Sequence, residues 1–357
     1  MKVNICFFID KNQNFYHSSL LYVGLLTLLK HRNIELRFHH PQNAGERVFV
    51  IDPLTVCLKI EATDGSRPKL LAIDLHDQSN IFAMEALEHC DLYLKRNFYL
   101  PDVIPLPVSF QEKIQPFGLN FACRNLTSSA ILLRSIGVPL LLQGKTGIKR
   151  LHQYLSLPYT EDFEQNPSKQ LQQTVVFQTR IWDTEEMGYG RVAEVNLINE
   201  ERVALIRTLK KAFGDRFRGG LVPTPLAISR YPDEISKFSS RRKQYAAMSR
   251  QNLIGIYTRG LFDSNAFKLP EYLAGSQCIV AEPIRNKLPN PLKEDINYLS
   301  FRNPEECVQA CHRLLNDHIF SETMRYANFK YYTMNVEPSS CIARLLGLAL
   351  PESNWLA

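Results

Sequence analysis

Two carboxylates, Asp263 and Glu271, stand eight residues apart in the run Asp263-Ser-Asn-Ala-Phe-Lys-Leu-Pro-Glu271, followed by Tyr272-Leu-Ala-Gly275. Residues 253–258, upstream, form an apolar run of buried-strand character, and Ile279-Val280-Ala281 returns as another. The pair therefore falls at the carboxyl end of a strand in a βαβ unit, the edge at which open α/β sheets bind ligands. Pro270 suits the first turn of a helix, where its missing N–H costs nothing, and Glu271 lies beside the unsatisfied N–H groups of that helix start. The chemistry this offers is anion binding by backbone N–H groups next to hydroxyl binding by a carboxylate. An acidic residue at a helix start is common for dipole reasons alone, so either carboxylate by itself reads as a cap. The combination is more specific.

Other residues could take part. Leu70-Leu-Ala-Ile-Asp-Leu-His76-Asp77 ends an expected strand with a His-Asp pair where a loop begins, and alone His76 reads as a structural loop histidine. Thr174-Val-Val-Phe-Gln-Thr-Arg180 places an arginine just after a strand, where its planar fork of donors suits phosphate oxygens; a surface arginine is the plainer reading. Asp10 to Asn14 follows the first strand without a glycine, so a phosphate contact there would need a side chain such as Lys11 or Asn12. Gln143-Gly-Lys-Thr146 imitates a phosphate loop but has Pro139 where the cradle needs glycine. His39-His40 has no companion ligands, and Arg241-Arg-Lys243 with Arg250 reads as solvated charge, with anionic lipid contact the weaker alternative.

The acidic segment resembles the C-terminal signature of the GT-B glycosyltransferases, most closely the retaining, nucleotide-sugar-dependent group with a Glu-x7-Glu motif (group 1, family 4-like). Asp263 takes the first acidic position, Glu271 the second, and Lys268-Leu-Pro-Glu-Tyr-Leu-Ala matches the Lys-x-x-Glu-Tyr-Leu-Ala form of the helix. The chain departs from the pattern in having Asp for the first Glu, Gly275 one place early, and Glu185 where a second basic residue usually follows Arg180; Arg191 or Lys268 would have to replace it. The resemblance implies an α/β GT-B fold, two Rossmann-like domains facing across a cleft. Its implied functional residues are Glu271 and Lys268 for the nucleotide with Asn12 on the other domain, and Asp263, Arg180 and His76 for sugar, diphosphate and catalysis. It implies a nucleoside-diphosphate sugar as donor substrate, a glycan or lipid-linked acceptor, no separate cofactor and no metal. No Asp-x-Asp occurs in the chain, which fits a metal-independent reaction. An epimerase or hydrolase using the same donor, and a non-catalytic nucleotide- or partner-binding protein, are the alternatives.

The elements that must position these residues alternate. Expected strands cover 3–9, 48–51, 70–74 and 91–95, with helices over 18–30 after a Ser cap, 81–90 and 127–136, a doubly wound pattern. A polar stretch at 160–173 reads as a linker. Alternation then restarts with strands at 174–178, 217–222, 253–258, 279–281 and 297–301 and helices at 199–213, 239–248 and 304–315, the last capped by Asn303. Domains of 1–165 and 166–335 follow, with a C-terminal segment 336–357 whose helix, by the resemblance, crosses back to the first domain.

At 357 residues the chain can fill two cores. Its 45% hydrophobic and 22% charged residues exclude a disordered chain, and a formal charge of +6 is far from that of a nucleic-acid binder. Eight scattered cysteines without a Cys-x-x-Cys pair read as reduced thiols of a cytoplasmic protein; Cys307 and Cys311 with His312 read as one face of a packed helix rather than a metal site. No signal peptide and no membrane-spanning run is expected, which leaves a cytoplasmic location with peripheral contact at the inner membrane face as an addition.

Overall fold

A computed structural model describes residues 2–9, 12–29, 33–41, 44–126, 129, 144–187 and 191–350; the helix expected over 127–136, the apolar run 139–142 and Lys11 lie outside them. The chain divides into two compact units, Met1–Thr160 with Asn286–Pro291 and Thr333–Ala357, and Glu161–Arg285 with Leu292–Tyr332. Both are α/β. No helix among the described residues is long and apolar enough to cross a membrane.

Unit 1 is built on β1 (Val3–Phe8), β2 (Ile34–His39), β3 (Thr55–Ala62), β4 (Lys69–Asp74), β5 (Leu92–Lys95) and β6 (Ile114–Pro116), in the order β2-β1-β3-β4-β5-β6. Strand β3 runs antiparallel to both neighbours, and the other pairings are parallel. The strand expected at 48–51 is a turn. Phe49 and Val50 pack from that turn against the core around Tyr93 and Leu87, so their apolar character reports burial and not extension. Helix α1 (Phe15–Leu28) starts earlier than expected. Its cap is Asn14, whose side chain accepts from the N–H groups of Tyr16 and His17, while the Ser18 and Ser19 hydroxyls turn back onto carbonyls at 3.0 and 3.1 Å. Residues Leu20, Leu21, Tyr22, Val23, Leu25 and Leu26 are all buried, since a second helix, α9 (Pro338–Ala349), lies against α1. Gly24 makes that approach possible: a Cβ there would stand 2.2 Å from the Pro338 carbonyl oxygen. Between these lie α2 (Met84–His89) and α3 (Lys145–Leu155).

Unit 2 holds a five-stranded sheet of β7 (Gln172–Thr179), β8 (Phe217–Leu221), β9 (Asn252–Tyr257), β10 (Cys278–Ala281) and β11 (Leu299–Ser300). All pairs are parallel, in the order β11-β10-β9-β7-β8. Parallel strands covered on both faces read as continuous apolar runs, and β9 and β10 are buried at every residue. The chain leaves β7 for β8 on one side and later for β9 on the other, so the order reverses between β7 and β9. That reversal opens a crevice at the carboxyl ends of those two strands. Gly219, at φ 152°, allows the close pairing of β8 with β7, because a Cβ would fall 1.9 Å from the Phe177 carbonyl oxygen. Helices α4 (Val192–Phe213), α5 (Arg242–Ser249), α6 (Lys268–Ala274), α7 (Pro304–Asn316) and the start of α8 (His318–Asn335) cover the sheet. Cys307 and Cys311 are buried in its core, and the Asn303 side chain caps α7 by accepting from the Glu306 N–H.

Candidate active site

The loops after β7 and β9 carry a cluster of charged groups. Arg180 follows β7 directly, is exposed, and lies over the Trp182 ring with 5.2 Å from guanidinium carbon to centroid. After β9 come Arg259, Gly260 and the short turn Leu261–Asp263. Phe262 and Asp263 are both left-handed, at φ 63° and 51°, a conformation that costs non-glycine residues on the order of 1 kcal/mol or more each. The surroundings enforce it. The Phe262 N–H donates to Glu194 at 2.7 Å, Arg191 stacks on the Phe262 ring at 3.9 Å, and the Gly260 N–H donates to the Ser264 carbonyl at 3.0 Å.

Asp263, read from the sequence as the sugar-facing carboxylate, meets Arg259 Nε at 3.2 Å and Arg285 Nη1 at 3.1 Å. Arg259 also contacts Glu201 (2.7 Å) and Glu282 (3.4 Å), and its own N–H donates to Glu282 at 2.7 Å. Burial acts against the Arg259 cation, but Glu282, Glu201 and Asp263 outweigh it and raise its pKa. Three guanidiniums, Arg180, Arg259 and Arg285, thus belong to the carboxyl edge of one sheet; Arg259 and Arg285 are engaged by carboxylates, and exposed Arg180, with no ion pair among the described residues, is the donor most open to a phosphate. Arg191 is committed to Glu194 at 2.8 Å and to the Phe262 ring, and Lys268 to Glu271.

Helix α6 begins at Lys268, which makes Pro270 its third residue and Glu271 its fourth, both within the first turn. Its seat is Gly255 on β9: the Tyr272 ring occupies the place of a Cβ, with ring atoms 2.7 Å from it. Glu271 is brought beside Lys268 (Oε2 to Nζ 3.2 Å), and the ammonium also lies 3.1 Å from the centroid of the Tyr245 ring on α5. Burial raises the pKa of Glu271, with Lys268 offsetting part of the rise. For Lys268, burial is outweighed by Glu271 and Tyr245, and its pKa goes up. The outcome is a mostly buried carboxylate held by its own helix, with lone pairs left for hydroxyl donors.

His76 and Asn12 belong to unit 1. Asp74, fully buried at the end of β4, accepts at Oδ1 from the His76 main-chain N–H (2.9 Å) and meets His76 Nδ1 at 2.8 Å. At Oδ2 it accepts from the Lys95 ammonium (2.8 Å) and the Tyr93 hydroxyl (2.5 Å). His76 Nε2 stands 3.3 Å from Asp52. Burial works against the imidazolium, but the bond to Asp74 and the charges of Asp74 and Asp52 prevail and the His76 pKa is raised. Asp74 moves the other way: Lys95 and His76 overcome its burial and hold it below the usual carboxylate range. Beside them Arg96 donates to Asp77 at 2.6 Å, and burial with the Arg96 charge takes His17 down to about 4. Asn12 is exposed on the loop between β1 and α1.

Sequence reasoning missed Arg202, Arg259, Arg285, Asp52 and Lys95. Arg259 and Arg285 stand two and four residues beyond the ends of β9 and β10, as Arg180 stands one beyond β7, and a cation soon after an apolar strand is a signal that could have found them. Arg202 gave none, since a charged residue in a helical run reads as solvent-facing. Among the described residues no cluster of His, Cys, Asp and Glu could hold a metal ion.

The class these features define is a two-unit α/β protein with a polyanion-ready edge on its all-parallel sheet. Among solved structures, the chain is similar to the C-terminal domain of a glycosyl transferase group 1 family protein from Francisella tularensis, with 15% identity and a TM-score of 0.34, over 49% of this chain and 96% of that one. It is similar to a glycosyltransferase from Rickettsia africae, with 12% identity and a TM-score of 0.43, over 92% and 81%. A UDP-GlcNAc 2-epimerase from Neisseria meningitidis, bound to UDP-GlcNAc, is similar at 11% identity and a TM-score of 0.39, over 96% and 98%. No family model matches the chain, and no curated protein matches it. The chain is similar to GT-B glycosyltransferases and epimerases, and what its site does rests on its own residues.

Proposed function

We propose that this protein is a glycosyltransferase that moves a hexose-type sugar from a nucleoside diphosphate to a glycan or glycolipid acceptor, with retention and without a metal. The observation that carries the reading is the edge of unit 2. The sheet order reverses between β7 and β9, and the loops there bear Arg180, Arg259 and Asp263, with the buried carboxylate of Glu271 on the next helix. A nucleoside diphosphate has the matching chemistry: ribose hydroxyls for a carboxylate and phosphate oxygens for guanidiniums.

In this reading Glu271 accepts from the ribose hydroxyls, and Lys268 fixes its position. Departure of the diphosphate leaves oxocarbenium character at the sugar carbon, and Arg180 stabilises the negative charge growing on the leaving group. Asp263 is held by Arg259 and Arg285 and takes a sugar hydroxyl on its exposed side. His76 and Asn12 keep the donor-sugar and phosphate roles that the resemblance implies.

The test is a thermal-shift and calorimetry series over uridine, guanosine and adenosine diphosphates and their hexose conjugates. A ligand at a hundred times its Kd adds about 2.7 kcal/mol of apparent stability. One base should stand out, as diphosphate and as sugar conjugate, and EDTA should leave transfer intact. No stabilisation by any of them would sink the reading. Conversion of the donor with no acceptor present would make the protein an epimerase or hydrolase instead.

A further inference from the structure

Arg202 lies within α4 with 5% of its surface exposed. Its guanidinium donates from Nη1 to the Arg180 carbonyl at 2.7 Å and from Nη2 to the Arg259 carbonyl at 2.9 Å. Those two carbonyls lie just beyond the ends of β7 and β9, the adjacent strands between which the sheet order reverses. The buried Nε makes no hydrogen bond. Burial brings the pKa of the group down to about 10, which leaves it a cation at neutral pH.

Packing alone does not account for this residue. A buried charge costs several kcal/mol unless well compensated, and an apolar side chain of similar volume usually serves stability as well or better. Arg202 hydrogen-bonds to carbonyl oxygens and makes no direct ion pair among the described residues, and Glu282 and Glu201 offset its charge only through space. Its neighbours on α4 converge on the same loops. Asn199 exchanges two hydrogen bonds with the Trp182 main chain (2.9 and 2.8 Å), Glu201 accepts from Arg259 at 2.7 Å, and Glu194 accepts from the Phe262 N–H. One helix thus sets the loops after both strands, and Arg202 is the residue that touches both.

We propose that Arg202 is a positioning residue for diphosphate binding: its two-pronged bond fixes the spacing of the loops that carry Arg180 and Arg259, and its charge backs them with a fixed cation. This rests on reading the edge of unit 2 as a nucleoside-diphosphate site. Arg202 does not itself reach the ligand and acts through the loops it ties.

The experiment uses the full chain with Arg202→Lys, which keeps the charge but not the fork, and Arg202→Gln, which keeps an amide donor but not the charge. Circular dichroism first checks that each is folded. Affinity for the best-binding of uridine, guanosine and adenosine diphosphate is then measured by calorimetry well below each melting temperature, in the wild-type and Arg180→Ala backgrounds. Loss of a charged hydrogen bond corresponds to about tenfold or more. Both variants should bind at least that much more weakly. In the Arg180→Ala background the Arg202→Lys effect should shrink to about half its logarithm or less, because part of its action has already been removed. Wild-type affinity in either folded variant, or an undiminished effect in the Arg180→Ala background, would overturn the inference while leaving the site assignment standing. Failure of the wild type to bind any of the three would overturn the site assignment and the inference with it.

Discussion

Replacing Asp74 by asparagine should destabilise unit 1 far more than its small change in shape implies. Asp74 and Lys95 are both fully buried, 2.8 Å apart, and the carboxylate also receives the Tyr93 hydroxyl and two nitrogens of His76. An amide keeps the shape but leaves the Lys95 ammonium with the Ile81 carbonyl as its main remaining partner. Breaking one half of a buried pair costs about 3–5 kcal/mol, because the surviving charge stays out of water. For a unit of this size that is a fall in Tm of roughly 6–20 °C. Urea unfolding followed by circular dichroism should show a lower midpoint at unchanged slope. The explanation has a second arm: Asp74→Asn combined with Lys95→Met removes the stranded charge and should recover most of the loss. An Asp74→Asn variant within about 1 kcal/mol of wild type, or a double variant no more stable than the single, would refute the reasoning.

His76, whose pKa is raised in the fold, contributes stability that is complete below the usual imidazole range and is lost as pH rises through the raised value. Urea midpoints should therefore drift down as pH rises above the usual imidazole range in the wild type and drift less in His76→Gln. Glu271→Ala should weaken nucleoside-diphosphate binding at least tenfold by calorimetry, since bonds to a charged acceptor are worth about 1.5–3 kcal/mol each. Arg180→Ala should lower turnover by about 100-fold if it stabilises the leaving diphosphate, read from initial rates at saturating donor. Gly24→Ala should push α9 off α1, at a cost of about 1–3 kcal/mol from overpacking, and limited proteolysis should then cut near residue 336 faster than in wild type.

The parallel sheet of unit 2 was legible through β9, β10 and the centre of β7 at 175–177, apolar runs of the kind that strands covered on both faces show, whereas β8 carries Arg218 and two glycines. Strand β3 was not, because Lys59 and Glu61 break up its apolar residues and it runs against the doubly wound direction. The stretch 48–51 misled for the opposite reason, as a turn whose Phe49 and Val50 dip into the core. At the candidate site the acidic pair, Arg180 and His76 stood out by position after strands. The groups that hold them did not: Arg202 and Lys95 are buried cations, and their partners are distant in sequence, 22 and 57 residues for Arg202 and 21 for Lys95. Local spacing cannot announce a bond made across a fold. The placement of Glu271 likewise depends on the contact of Tyr272 with Gly255, a fit between side chain and strand that neither segment shows alone.

The pairing of α1 with α9 sets the order in which the protein can be completed as it leaves the ribosome. From Leu28 to Pro338 the chain runs 310 residues. At about 5–20 residues per second, α1 waits on the order of 15–60 s for its partner. Throughout that interval the surface around Gly24 that α9 will cover is bare, and unit 2, which is nearly continuous in sequence, can finish first. A nascent chain of this kind is a natural client for a holding chaperone, and any fragment that stops short of α9 carries the same uncovered helix for good.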